Sequence, residues 1–532
     1  MSASTITESR EEPQAPTQQS PLASQRANGH LPPPGAPAKT GRFGSFFPLG
    51  YKEGFSQWWA NVSPAAAEHA VMSYVPHLQQ PPTHTHTGKT ITSRSTSTSS
   101  VNKDAVDAAA PVTTTSSTDP YGPRQWHSNL VQLSGRNRAL NEFSIERVGE
   151  PVEDNLVMLH GYGAGLGFFY KNFEGLSRVP GWKIWALDML GMGRSSRPPF
   201  KIRATEKEKK ISETEDWFID SLEEWRIQKK LDTFTLLGHS LGGYMAVAYA
   251  LKYPGHLNKL VLASPVGIPE DPYAVNAAMP EPDESTMARE FTQDQDATVT
   301  SSDAAKAGDN NNFFNAKSNA SKEAKEGQTG GVPARKPLPG WLTYLWDANI
   351  SPFSIVRWGG PLGPRFVSGW TTRRFSHLPA EERQVMHTYS YSLFRQHGSG
   401  EYALAYVLAP GAFARSPLIR RIQGVGRQPL TEQRKEKGIP VVLMYGENDW
   451  MDVHGGYDAE KKIKAETAKC LEGATEAEKK ADQGDAKVII IKQAGHHLYL
   501  DGWEEFNEVI RGEMEDVRRR RLAMAAHTNG HA

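Results

Sequence analysis

The sequence predicts an α/β fold, a mostly parallel sheet with helices on both faces and an inserted helical cap. Short apolar, β-rich runs recur: NLVMLH (155–160), WKIWALD (182–188), FTLLGH (234–239) and KLVLASP (259–265). Each is followed by a Gly-rich turn and then, usually, by amphipathic helical spacing, the alternation of a parallel sheet covered on both faces. Two more runs, PVVLMYG (440–446) and KVIIIKQ (487–493), resume the pattern after an interruption from about 270 to 430. An insertion that returns to the same sheet reads as a cap over the strand ends, where ligands bind in such folds.

Taken in order, residues 1–125 read as a mostly disordered region. Ser, Pro, Gln, Ala and Thr dominate residues 1–40 and 79–120, too few apolar groups to offset chain entropy. Between them, at about 43–78, lies an aromatic island with Phe46, Phe47, Phe55, Trp58 and Trp59. Such an island requires an apolar partner, either the folded body or a lipid interface into which Trp58 and Trp59 insert. Core texture fills 126–270 and returns over 431–522, with 271–430 as the cap insertion and 523–532 as a disordered tail. Within the insertion, 280–335 is polar and low in complexity, whereas WLTYLWDANISPFSIVRWGGPLGPRFVSGW is aromatic and apolar at helical spacing.

Composition narrows the partners. The 532 residues carry 60 basic and 60 acidic side chains, so net charge gives no argument for nucleic acid. No apolar run reaches the roughly 18–20 residues of a spanning helix, which leaves peripheral membrane contact. The single cysteine, Cys470, excludes an internal disulfide framework and fits a reducing compartment or an organelle interior. Its Lys/Glu-rich helical surroundings make it an ordinary thiol. His84 and His86 in a Thr-rich tract lack the further ligands of a metal site. RRRR (518–521) reads as a solvated basic end with an option on anionic headgroups. Neither a cofactor nor a metal is called for, and the oligomeric state is not legible.

The chemistry centres on LLGHSLGG, which places Ser240 in Gly238-x-Ser240-x-Gly242 between a strand and the helix MAVAYALKY. That is a nucleophile elbow, whose glycines permit a sharp strand-to-helix turn with a strained serine at its tip. A serine hydroxyl needs a base, and in the order Ser…acid…His the late strands supply both. PVVLMYGENDWMD ends a strand and presents Asp449, with Asp452 as the alternative; KVIIIKQAGHHLYLD ends the next with Gly495-His496. His496 is the candidate base, Asp449 its orienting carboxylate, and His497 a packed or cap-facing imidazole. Oxyanion donors are backbone N–H groups, expected from Leu241 and from Tyr162 in HGYGAG (160–165). LDMLGMGRSSRP (187–198), with Asp188 and Gly191, reads as scaffold.

HGYGAGLGFFYKNFEGLS, LDMLGMGRSSRPPF, EDWFIDSLEEWR, LLGHSLGGYMAVAYALKYP, GPLGPRFV and GHHLYLD, in that order, resemble one subfamily of the α/β-hydrolase fold. Its members are the animal lipid-droplet lipase co-activator, an N-acyl-phospholipid hydrolase, and fungal cardiolipin deacylase and lysophosphatidate acyltransferase proteins. The resemblance covers most of 126–270 and 340–515. It implies removal of a fatty-acyl chain from a phospholipid, cardiolipin first, through an acyl-Ser240 intermediate. The alternatives it carries are acyl transfer from acyl-CoA to lysophosphatidate and a non-catalytic co-activator role. The co-activator resembles a pseudo-hydrolase with Asn at the nucleophile position, whereas this chain has Ser240. The family's H-x4-D acyltransferase motif falls on His496 and Asp501; Asp501 also reads as the cap of the helix DGWEEFNEVIRGEM. Length, the absence of a signal peptide and the low-complexity inserts favour the cardiolipin branch. That branch implies a mitochondrial, membrane-associated protein, with cytoplasm or lipid droplet as the alternative.

Overall fold

A computed structural model describes residues 47–76, 112–113, 120–270, 351–409 and 413–529. The low-complexity stretches assigned to 1–40, most of 79–120 and 280–335, together with His84 and His86, lie outside those residues. Nine strands form one sheet in the order β1-β2-β3-β5-β4-β6-β7-β8-β9. They are β1 (Val112–Thr113), β2 (Arg124–Gln132), β3 (Ala139–Arg147), β4 (Asp154–Leu159), β5 (Trp182–Leu187), β6 (Phe234–His239), β7 (Leu257–Ala263), β8 (Pro440–Gly446) and β9 (Asp485–Ile491). The first three pair antiparallel and β3 pairs antiparallel with β5; from β5 to β9 every pairing is parallel.

All six runs picked out by composition are strands of the parallel part. β2 and β3 are additions, and the first reason they escape the eye is β2's alternation of buried and half-buried positions in RQWHSNLVQ, one covered face rather than two. The second is charge. β3 buries Glu142, held by Trp225 Nε1 at 2.7 Å and Lys229 Nζ at 2.5 Å.

The helices that matter for the site are α1 (Tyr51–Ala60), α2 (Pro64–Met72), α3 (Tyr170–Leu176), α4 (Lys207–Lys229), α5 (Leu241–Lys252), α6 (Pro352–Trp358), α7 (Gly363–Arg374), α8 (Ala380–Phe394), α9 (Val453–Cys470) and α10 (Trp503–Asn529). Two apolar clusters, one on each face of the sheet, form the core. Helix α5 is buried on all sides, Leu241 through Ala250, which is why LGGYMAVAYA carries no charge. The insertion rejoins the sheet directly: Leu260 of β7 pairs with Val441 of β8. Helices α6–α8 belong to it and cap the carboxyl ends of the strands. Helix α10 runs to Asn529, so the stretch 523–529 is helical rather than a disordered tail. Within the basic run, Arg519 reaches Asp516 at 3.3 Å, Arg520 bonds it at 2.8 Å and Arg521 reaches Asp154 at 3.3 Å, so three of the four arginines have carboxylate partners.

The aromatic segment divides its partners. Helix α2 buries Ala65, Ala67, Glu68, Val71 and Met72 and packs against α8 of the cap. Helix α1 lies along α7 and the Gly360–Leu362 turn but turns its rings outward. Tyr51 is 71% exposed and Trp59 73%, Phe55 is half exposed and Trp58 half-buried. Trp358, 73% exposed, and Ile355 on α6, together with Leu362 in the turn α1 packs against, add further exposed apolar side chains on the cap.

Candidate active site

Ser240 sits between β6 and α5 with φ 53° and ψ −116°, a conformation costly for a residue with a side chain. Tight packing imposes it. A Cβ on Gly238 would lie 2.3 Å from the Gly242 carbonyl oxygen, and one on Gly242 would lie 2.6 Å from the His160 oxygen. The Ser240 N–H donates to Ala263 O at 3.0 Å, tying the elbow to β7.

From Ser240 a chain of hydrogen bonds leads inward. Its Oγ donates to His496 Nε2 at 3.1 Å, and His496 Nδ1 donates to Asp449 Oδ1 at 3.2 Å. Asp449 is buried and fully engaged. Its Oδ1 also accepts from the Met451 N–H at 3.0 Å; its Oδ2 accepts from Gly446 N–H at 3.4 Å and from the Ser264 hydroxyl. A buried carboxylate with this many donors is fixed in orientation. Asp452, the alternative acid, serves otherwise: it caps α9 and accepts the His454 N–H at 3.1 Å. The structure therefore brings together Ser240, His496 and Asp449.

The loop after β4 lies against the elbow. A Cβ on Gly161 would be 3.0 Å from Ser240 Cβ, so glycine lets the backbone reach the nucleophile. His160 is buried and neutral, burial lowering its pKa. Its Nδ1 donates to Gly161 O at 2.7 Å and its Nε2 accepts from Met189 N–H at 3.1 Å. Asp188 supports the same loop, accepting Leu166 N–H at 2.6 Å and Arg194 N–H at 2.7 Å. The LDMLGMGR segment is thus scaffold, as its sequence suggests. Leu241 opens α5, where an amide has no helical partner, and Tyr162 follows Gly161. The Tyr162 ring stacks on Phe353 of α6, centroids 5.3 Å apart and planes 14° apart, which closes the cap over the loop. Ser240 itself is only 8% exposed.

His497 points away from Ser240. Its Nδ1 accepts from Arg374 Nε at 2.9 Å, and burial, with Arg374 next in effect, keeps its pKa well below the usual imidazole range. Asp501 does not cap the following helix. It is the last residue of the turn Leu498–Asp501, and its carboxylate accepts from Arg374 Nη1 at 2.9 Å and Gly495 N–H at 3.1 Å. Four neighbours of His496 carry no motif. Ser264 bonds Asp449, Trp450 places its ring 4.9 Å from the imidazole, His239 donates to His496 O at 3.0 Å, and Arg374 comes from the cap. Only Ser264 and Trp450 had a signal, their position just past a strand end. Cys470 is exposed and remote from this cluster. Among the described residues no group of three His, Cys, Asp or Glu side chains could hold a metal ion. No helix there is long and apolar enough to cross a membrane.

An elbow serine after β6, an acid after β8 and a histidine after β9, on this strand order, define a serine-hydrolase type of site. Residues 154–502 match the alpha/beta hydrolase fold family, and the chain belongs to it. It is similar to 1-acylglycerol-3-phosphate O-acyltransferase of Arabidopsis thaliana, 32% identical over 71% of this chain and 70% of that protein. It is similar also to 1-acylglycerol-3-phosphate O-acyltransferase ABHD5 of Mus musculus, 29% identical over 73% of this chain and 84% of that protein. The human (lyso)-N-acylphosphatidylethanolamine lipase is 27% identical over 67% and 77%.

Proposed function

We propose that this chain is a serine lipid hydrolase that removes a fatty-acyl chain from a phospholipid, cardiolipin in the first instance. The observation that carries the proposal is the hydrogen-bonded chain Ser240–His496–Asp449 beneath an aromatic cap. Ser240 Oγ attacks the ester carbonyl while His496 Nε2 takes its proton, and the Leu241 and Tyr162 N–H groups hold the oxyanion. Collapse breaks the acyl C–O bond, and His496 returns the proton to the departing lysophospholipid oxygen. Water, activated by His496, then frees the fatty acid from acyl-Ser240.

The outward rings of α1 with Trp358 form the membrane-contact face, with Trp58 and Trp59 at its centre. Exposed aromatic clusters of this kind are otherwise costly in water. A membrane-associated mitochondrial location belongs to the same proposal, with cytoplasm or a lipid droplet as the alternative. Acyl transfer to lysophosphatidate is the second reading, favoured by the names of the Arabidopsis and mouse relatives. It shares the acyl-Ser240 intermediate and differs only in the acceptor hydroxyl.

The test is product analysis by mass spectrometry on liposomes of cardiolipin, phosphatidylcholine and phosphatidylethanolamine, with acyl-CoA and lysophosphatidate in a parallel reaction. Ser240-dependent fatty acid and monolyso-cardiolipin support the hydrolase. New phosphatidate without free fatty acid makes the protein a transferase. Lipid turnover undiminished in Ser240→Ala overturns the mechanism, and no turnover in either tube leaves a co-activator role.

A further inference from the structure

The bonds around His496 give the cap a part in the site that neither the triad nor the membrane face requires. Three consecutive residues are each held from elsewhere in the chain. Gly495 N–H donates to Asp501 Oδ2 at 3.1 Å, His496 O accepts from His239 Nε2 at 3.0 Å, and the His497 ring accepts from Arg374 Nε at 2.9 Å. Arg374, the last residue of α7, also donates Nη1 to Asp501 Oδ1 at 2.9 Å. One guanidinium therefore spans the two groups that flank His496 on either side, and both it and Asp501 are buried, with side chains 10% and 2% exposed.

We infer that Arg374 and Asp501 are positioning residues that hold the His496 loop against Ser240 when the cap is seated. A buried ion pair adds little net stability over an apolar pair of similar volume, so its presence here is explained better by placement than by strength. The planar fork of arginine reaches an imidazole nitrogen and a carboxylate at once, which a lysine ammonium does not reproduce. Geometry makes the placement consequential. The Ser240–His496 bond is 3.1 Å, and a shift of about 1 Å in such a contact costs on the order of 100-fold in rate. The arrangement also gives the aspartate of the H-x4-D motif a role without chemistry of its own. It acts on His496 through Gly495 and through Arg374, and His497 is the second anchor for the same guanidinium. The inference rests on Ser240 and His496 being the nucleophile and base.

The test uses the full chain with a short soluble p-nitrophenyl ester, so that lipid binding does not enter, and a fluorophosphonate to label Ser240. Arg374→Ala is expected to lower kcat about 100-fold with KM within about threefold, and methylguanidinium, but not sodium chloride, to restore at least a tenth of the loss. Arg374→Met combined with Asp501→Leu removes both buried charges and is expected to keep its melting transition yet show the same fall in kcat. His497→Asn, which retains an acceptor near Nδ1, is expected to keep more activity than His497→Leu. An Arg374→Ala enzyme with kcat within threefold of wild type overturns the inference. So does a loss of activity that only tracks the melting transition and that methylguanidinium does not relieve. Wild-type protein that neither turns over the ester nor takes the label removes the proposed function and this inference with it. Wild-type protein that does both while Arg374→Ala matches it removes this inference alone.

Discussion

Replacing Asp449 by asparagine separates the triad acid from its neighbour Asp452 with little change in shape. The Asp449 carboxylate accepts four hydrogen bonds, from His496 Nδ1, Met451 N–H, Gly446 N–H and the Ser264 hydroxyl. An asparagine offers one acceptor oxygen and one donor NH2. Whichever way it is oriented, one set of donors meets a donor. If the NH2 faces His496, the imidazole turns Nδ1 into an acceptor and carries its proton on Nε2, where it is useless as a base for Ser240. Loss of the right tautomer in such a triad costs about 10⁴ in kcat, roughly 5.5 kcal/mol at 1.36 kcal/mol per decade. Asp452→Asn, by contrast, keeps a good cap on α9 and is expected to leave kcat unchanged, while Asp452→Ala costs about 1 kcal/mol of stability. The assay is saturating turnover of the p-nitrophenyl ester, paired with thermal melting. A kcat for Asp449→Asn within tenfold of wild type, together with loss of activity in Asp452→Asn, would refute the assignment.

Other outcomes follow from buried charges and exposed rings. Glu68 joins α2 to the body through Arg194 and Asn141, and burial, opposed by Arg194, raises its pKa to about 7. Its folded pKa exceeds the unfolded value of about 4.5, so the stability it contributes is complete below pH 4.5 and lost as pH rises through 7. Melting curves from pH 5 to 8 should show wild type losing up to about 3 kcal/mol relative to Glu68→Gln; parallel curves would contradict this. Lys259, wholly buried in β7, bonds Glu513 at 2.7 Å and Asp516 at 2.8 Å. Lys259→Ala removes the buried donor, while Glu513 keeps Lys487 at 2.6 Å and Asp516 keeps Arg520 at 2.8 Å, and should cost about 1.5–3 kcal/mol in denaturant unfolding. Replacing Trp58, Trp59 and Trp358 by alanine should weaken liposome flotation by about tenfold or more, with turnover of the soluble ester unchanged. Unaltered flotation would mean those rings serve another surface.

How legible the molecule is in its sequence depends on where each residue's partner lies. Strands β4 to β8 are legible because a strand covered on both faces reads as an apolar run, the edge strand β9 because of its Val488–Ile491 run, and Ser240 because the elbow needs glycine on either side. Strands β2 and β3 are not, since Glu142 becomes acceptable inside a sheet only once Lys229 and Trp225 arrive from α4. Asp449 and Asp452 share a loop and a residue type, and only the backbone path decides which meets His496. Asp501 reads as a helix cap because its true partner, Arg374, stands 127 positions earlier. The aromatic island illustrates the same limit. Composition says that Trp59 needs an apolar partner, but only the folded chain shows its ring left exposed beside those of Phe55 and Trp58.

The central claim, an acyl-Ser240 intermediate formed from a phospholipid, is tested most directly by trapping it. Full-length protein is mixed with cardiolipin-containing liposomes, quenched in acid within the first turnovers, and read by intact-protein mass with peptide mapping. The expected result is a mass gain of one fatty-acyl chain located on Ser240, absent from Ser240→Ala and from His496→Ala. Release of fatty acid at an undiminished rate by Ser240→Ala, with no acyl chain on the wild-type serine, would contradict the account.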